Sequence, residues 1–183
     1  MAIETNIGHV LQALEFSKRK DLSFVLARSQ DWADPTTPDP ETANIGSLTN
    51  PLALIKVDRL ALCYDSGEKA VTSASDGDDF IIYKGKKWNT VDPDKIFTSD
   101  LHLTHNACYV CLIGSLDVGA LPMFSFTQIG VSAGAVIGST AKSQLHAYQS
   151  DVSKWGQLLF YENRVKETYT DAQRKIFKYL IKF

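Results

Sequence analysis

The sequence predicts an α+β fold that is mainly β: an N-terminal helix packed on a two-layer antiparallel β structure, with an extended proline-rich arm. Three observations predict it. Ile7, Val10, Leu11 and Leu14 recur on a 3.6-residue period. Apolar residues alternate with polar ones in short segments along most of the remaining chain, most regularly over Phe177, Tyr179, Ile181 and Phe183. Between these patterns lie Pro35, Pro38 and Pro40 among Asp and Thr. There the fixed φ and the missing donors of proline disfavour either regular element. At 183 residues the chain suits one domain, residues 1–183, able to bury roughly 70% of its unfolded surface without a metal or disulfide staple.

The elements follow in order. Residues 6 to 19 are expected as the helix, with Thr5 or Asn6 capping the first turn and Lys18, Arg19 and Lys20 placed where cations suit a C-terminus. Leu22 to Ala27 reads as a strand with Leu22, Phe24 and Leu26 on one face. Residues 33 to 50 form the candidate arm. Val57 to Tyr64 is a strand, and Asp76 to Asp79 is an acidic turn before Phe80–Tyr83. Gly85 then opens a hairpin into Lys86–Trp88. Ala107 to Ile113 and Phe124 to Val131 are further strands; Gly130, Gly134 and Gly138 loosen the chain after them. The tail strand, with Lys178 and Lys182 flanking Leu180 on its second face, completes some seven strands. A chain that finishes within a strand is expected to have its last residues tied into a sheet.

Lys plus Arg total 19 and Asp plus Glu 21, a net charge of −2. This balance argues against nucleic acid or an anionic membrane as a partner held by overall charge. No run approaches the roughly 18–20 apolar residues of a membrane span. Glu4, Asn6 and His9 interrupt the first ten residues, and the three cysteines are an odd set. A soluble protein made in a reducing cytosol is expected.

His102, His105, Cys108 and Cys111 form H-x2-H-x2-C-x2-C, a set that zinc accepts. The alternative to be weighed is therefore a small zinc-binding β module centred on residues 102–111. The objection is geometric: on a strand, Cys108 and Cys111 fall on opposite faces, and Tyr109-Val110 favours β structure over the turn a metal knuckle needs. Buried cysteines with histidines in the preceding loop are the simpler reading. Gly130 to Ser139 lacks the Gly-Lys-Ser/Thr of a phosphate loop, and no Gly-x-Ser-x-Gly elbow is present. His9 and His146 suit surface or interface positions, and Asp78 and Asp79 a solvated corner. Lys84, Lys86 and Lys87 beside Trp88 are offset by Asp76, Asp78 and Asp79. Trp32, Trp88, Trp155 and Tyr161 stand beside Arg28, Lys87, Lys154 and Arg164, a combination suited to surfaces that pack on one side and meet a partner on the other.

Four blocks in order carry a resemblance. Phe24-Val25-Leu26-Ala27-Arg28-Ser29-Gln30-Asp31-Trp32, followed by the proline-rich stretch, is the first. Ala120-Leu121-Pro122 leading to Phe126-Thr127-Gln128-Ile129-Gly130-Val131 is the second. Gly156-Gln157-Leu158-Leu159-Phe160-Tyr161-Glu162-Asn163-Arg164 is the third, and Ala172-Gln173 through Ile176-Phe177 to Phe183 the last. Together they resemble the dimeric baseplate wedge subunit of T-even-like contractile-tailed bacteriophages. Members of that family can be nearly twice as long, with an extra middle region where this chain has only about residues 65 to 106, and tend to have Arg where Thr127 stands. The resemblance implies a structural subunit of the tail baseplate wedge, without catalysis, cofactor, metal or small-molecule substrate. It implies a homodimer that links other baseplate wedge proteins in the virion and is assembled in the host cytoplasm. It marks Arg28, Trp32, Gln128, Tyr161, Asn163 and Arg164 as structural or interface motif residues.

Overall fold

The computed structural model describes residues 5–69, 76–77, 79–97 and 104–183. In chain order the elements are α1 (Asn6–Ser17), β1 (Leu22–Ala27), β2 (Pro51–Lys56), β3 (Arg59–Lys69), β4 (Phe80–Tyr83), β5 (Lys86–Thr90) and β6 (Tyr109–Leu116). They continue with β7 (Phe124–Ala133), β8 (Val136–Ile137), β9 (His146–Tyr148), β10 (Val152–Lys154), β11 (Gln157–Tyr169) and β12 (Lys175–Lys182). The fold is thus α+β and mainly β, with antiparallel pairing. Contacts cluster in two units. One draws on the helix segment up to Arg19, Arg59–Ile113 and Phe177–Phe183; the other comprises Lys20–Asp58 and Gly114–Ile176.

In the first unit, Thr5 caps α1 by accepting a hydrogen bond from the Gly8 N–H at 3.2 Å, which satisfies one of the orphan donors of the first turn. Val10, Ala13, Leu14 and Phe16 are buried, whereas Ile7 and Leu11 remain 42% and 44% exposed. The buried arc is therefore centred on Val10, Ala13 and Leu14, and the flank of the predicted stripe faces outward. The sheet runs β12-β6-β3-β5-β4. Between β4 and β5 the two-residue turn has Lys84 at φ 47° and Gly85 at φ 73°, the pair of positive φ values that a type I′ hairpin requires. Ala61, Cys63, Ile81, Trp88 and Cys111 form a buried cluster, with Tyr109, Ile113 and Leu180 packed on it.

β12 and β4 are the two borders of this sheet, yet Leu180 of β12 and Ile81 of β4 share that cluster. The sheet curls far enough for Lys178 Nζ to donate to the Ile82 carbonyl at 2.9 Å and to Asp76 Oδ1 at 2.6 Å. The same Asp76 oxygen accepts the Ile82 N–H at 2.9 Å. Side chains here replace one rung of a β ladder.

The second unit holds a sheet in the order β11-β7-β1-β2-β9 and a small β8–β10 pair. All of β1 is buried. Its even residues, Leu22, Phe24 and Leu26, lie opposite Ala133, Val131 and Ile129. Its odd residues, Ser23, Val25 and Ala27, lie opposite Ser132, Gly130 and Gln128 and are buried as well; Leu48 packs on Val25 and Ala27, with Trp155 and Leu158 against the same cluster. Phe124, Phe126 and Tyr169 cluster at the far end, with ring centroids 5.6–6.1 Å from Phe124, and the Tyr169 hydroxyl donates to the Asp117 carbonyl at 2.9 Å.

Strands β2, β9 and the full length of β11 were not legible from alternation. β2 opens on Pro51, and its Leu52, Ala53, Leu54 and Ile55 are all buried, so no polar face marks it.

Candidate functional site

Where β1 ends, Arg28 turns into the left-handed region at φ 53°. Its N–H donates to the Thr49 carbonyl at 2.9 Å, and its own carbonyl accepts both the Thr127 N–H at 2.8 Å and the Thr127 hydroxyl at 2.9 Å. That turn lays the guanidinium over the Trp32 ring, 4.1 Å from the centroid, and Nη2 donates to the Asp31 carbonyl at 3.2 Å. Trp32 is buried to 5% exposure and donates its indole N–H to the Arg164 carbonyl of β11 at 2.6 Å.

The proline-rich segment is then held across the sheet by side chains of β7 and β11. The Tyr161 hydroxyl donates to the Thr42 carbonyl at 3.0 Å and accepts the Thr42 N–H. Asn163 donates Nδ2 to the Asp39 carbonyl at 2.8 Å, and its backbone N–H donates to Glu41 Oε1 at 3.0 Å. Gln128, directly opposite Asn163, donates Nε2 to Asn163 Oδ1 at 2.9 Å and accepts the Thr49 N–H at 3.2 Å. Leu48 packs with Val25, Ala27, Trp155 and Leu158. Gly130 makes room for it: a Cβ there would stand 2.9 Å from Leu48 Cδ1 and 2.7 Å from Leu158 Cδ1.

Arg164 completes the arrangement as the centre of an ion-pair network, with Glu162 at 3.1 Å and Glu167 at 3.2 Å; Lys175 reaches Glu167 at 2.8 Å. Partial burial pulls the Glu167 carboxyl upward, but Lys175 and Arg164 outweigh it and hold it below the ordinary glutamate range. Burial opposes charge on Arg164 too, and its two glutamates more than offset this. Lys166 pairs with Asp31 at 3.2 Å, a second tie between β11 and the segment after β1.

All the residues marked by the resemblance therefore meet in one unit. Gln128, Tyr161 and Asn163 hold residues 39–49; Arg28, Trp32 and Arg164 hold the turn that begins the segment. The hydrogen bonds named above all close within the chain, an arrangement suited to fixing a surface, while the buried Nε atoms of Arg28 and Arg164 have no partner. The partners Asp39, Glu41, Thr42 and Thr49 had no sequence signal, since each contact joins residues far apart in the chain, several through a backbone atom. The charged pair Glu167–Lys175 was likewise unforeseen.

The other candidates fall elsewhere. Among the described residues no three His, Cys, Asp or Glu side chains are grouped to hold a metal ion; His102 lies outside those residues, as does Asp78. His105 stacks on Tyr64 with centroids 4.4 Å apart. Cys63, Cys108 and Cys111 are free thiols in the interior. Burial pushes all of them up, Cys111 to about 12. Lys86 pairs with Asp65 and Lys87 with Glu68, so the basic hairpin is neutralised by its neighbour β3. Gly130 to Ser139 supplies the end of β7, the Gly134 turn and β8. His146 sits in β9 with Nδ1 3.5 Å from the Ser143 hydroxyl.

The motif side chains of this mainly β protein thus brace its own surface segment. Over its whole length, residues 1–183, the chain matches the family described as baseplate wedge 3 tail fiber network component, and it belongs to that family. It is also similar to "Virion protein 3" of Enterococcus phage phiEF24C, 27% identical over 175 residues that cover 93% of this chain and 88% of that protein. The chain is thus a baseplate-related phage protein with a structural role in the virion tail.

Proposed function

We propose that this chain is a non-catalytic subunit of the baseplate wedge of a contractile tail of the T-even-like kind, where it links neighbouring wedge proteins. Residues 33–50 and the adjoining β11 surface provide the contacts, and the subunit works as a homodimer and is assembled in the host cytoplasm. The observation that carries this reading is the seam described above: the residues Arg28, Trp32, Gln128, Tyr161, Asn163 and Arg164 stabilise one long surface segment. A segment rich in proline and already tied down loses little further entropy on meeting a partner, which is what a contact surface in a rigid assembly needs. The similarity to a virion protein of another phage supports the same reading.

Complementation tests it. A phage lacking its own copy is propagated in host cells that express either the wild-type chain or Tyr161→Ala/Asn163→Ala. Wild type is expected to restore complete baseplates, and the variant to leave wedges unjoined. Complete baseplates assembled without the chain would overturn the linking role. Sedimentation at micromolar concentration is expected to give a dimer; a strict monomer would remove that part.

A further inference from the structure

Asp76-Gly77 is the one Asp-Gly pair in the chain, and Asn-Gly does not occur. Such a pair is chemically fragile. Glycine has no Cβ to shield its amide, so its nitrogen can reach the carboxyl of the preceding aspartate and close a five-membered succinimide ring. In this turn the fold uses both members of the pair. Asp76 Oδ1 accepts the Ile82 N–H at 2.9 Å and the Lys178 ammonium at 2.6 Å. At Gly77 an added Cβ would stand 2.5 Å from Phe80 Cε1, so the Phe80 ring occupies the space of a side chain. The Gly77 N–H donates to the Phe80 carbonyl at 3.1 Å. Both reacting groups are thus turned to other partners, the carboxyl to Ile82 and Lys178 and the amide to Phe80.

We propose that Asp76-Gly77 is a site of spontaneous self-modification to isoaspartate, and that Lys178 of β12 is the latch that holds it back. In the first step the Gly77 nitrogen attacks Asp76 Cγ. The N–Cγ bond forms, the nitrogen gives up its proton, and the hydroxyl of the protonated carboxyl leaves with that proton as water. Water then adds to the ring at one of two carbonyls. Addition at Cγ restores Asp76. Addition at the main-chain carbonyl of Asp76 breaks its bond to the Gly77 nitrogen and leaves the chain running through the former side chain. The main chain gains one methylene, the free carboxylate loses one, and the net mass is unchanged, with no oxidant or other reactant besides water. A carboxylate shortened to the Cα no longer spans to Ile82 and Lys178, so the product leaves the clasp open. The carboxyl cannot swing to the Gly77 nitrogen until its bonds to Ile82 and Lys178 break, so local opening of this border sets the rate. The site lies apart from the seam on β7 and β11 and does not depend on the linking role.

The test is prolonged incubation of the full chain at mildly acidic pH, followed by tryptic digestion. Isoaspartate is located within the peptide of residues 70–84 by electron-transfer fragmentation, which separates position 76 from Asp78 and Asp79. Isoaspartate at position 76 is expected to form at least roughly tenfold more slowly in folded wild type than in the same chain in urea. Lys178→Met is expected to raise the folded rate about tenfold, the change in open population when one hydrogen bond to a charged group is lost. Gly156→Ala, a destabilising change in the other unit, is expected to leave the rate near wild type. Asp76→Glu is expected to give no product, since its ring would have six members. A measurement on wild type alone stands beside the variants: below the unfolding transition, added urea should raise the isomerisation rate in step with amide exchange at Ile82 and not with that at Val25. A folded rate equal to the unfolded one, or product centred on another aspartate, would overturn the proposal. So would a Lys178→Met rate equal to wild type, equal acceleration by Gly156→Ala, or a rate that follows Val25.

Discussion

Gln128 and Asn163 stand directly opposite one another on β7 and β11 and join their amides at 2.9 Å, and each spends its remaining amide group on the backbone of the segment above, at Thr49 and Asp39. The pair is one continuous hydrogen-bonded bridge from one end of that segment to the other. Gln128→Ala or Asn163→Ala is expected to cost about 1 kcal/mol in urea unfolding. The double variant is expected to cost less than their sum, because the shared bond can be lost only once. Limited proteolysis provides the local readout, with cleavage between residues 39 and 50 accelerated in either variant; additive costs and unchanged cleavage would refute the bridge.

Two glycines separate backbone strain from steric exclusion. Gly134 has φ 67° and nothing near an added Cβ, whereas Gly156 has φ 77° and a Cβ there would stand 2.4 Å from the Ala133 carbonyl oxygen. Gly134→Ala is expected to lose roughly 1 kcal/mol, the cost of a left-handed residue. Gly156→Ala is expected to lose clearly more and to loosen the start of β11. Thermal unfolding of both variants makes the comparison, and equal shifts in Tm would contradict it.

Glu167 sets part of the acid limb. Its carboxyl is held below its ordinary value in the folded chain, so its contribution is fully present above the unfolded pKa and is lost as pH falls through the folded one. Wild type is therefore expected to lose stability through the acidic range more steeply than Glu167→Gln. Urea midpoints measured from neutral pH downward should converge between the two proteins. Parallel curves would show that Glu167 does not contribute.

The thiols are expected to be silent in the native state. Cys63 and Cys111 are 0% exposed, and burial raises both. A disulfide reagent at mildly alkaline pH should react with these cysteines only as fast as the chain unfolds, with the rate following denaturant. Rapid reaction of the folded protein would contradict their placement.

The Lys178–Asp76 clasp is open to a direct measurement. Both side chains are mostly buried, with 21% and 27% of their surface exposed. Lys178→Met is expected to cost about 1.5–3 kcal/mol, the range for a hydrogen bond to a charged group, and to leave Asp76 without its cation. Amide exchange at Ile82 should accelerate more than at Trp88 in the neighbouring strand. Uniform acceleration would indicate a merely global effect.

Much of the fold was legible in the residues. The α1 stripe, the alternation in β7 and β12, and the Lys84-Gly85 turn each declare themselves within a few positions, because local periodicity and turn geometry are local properties. Strand β2 did not, since a strand buried on both faces shows no alternation and Pro51 argues against one. Leu11 misled for a related reason: periodicity defines a stripe, but the sheet decides which arc of the helix it covers. At the candidate site the anchors Arg28, Trp32, Gln128, Tyr161, Asn163 and Arg164 were reached by resemblance. Their partners were not, because Asp39, Thr42 and Thr49 contribute backbone atoms, which every residue type carries.

The clasp at Ile82 has one more effect. A strand border that shows open N–H and C=O groups can template other chains, and proteins gathered at high local density are most exposed to that hazard. At the middle of β4 those groups are already engaged, one by a carboxylate and one by an ammonium from the opposite border. That rung of the border is thereby closed to pairing with a strand from another copy.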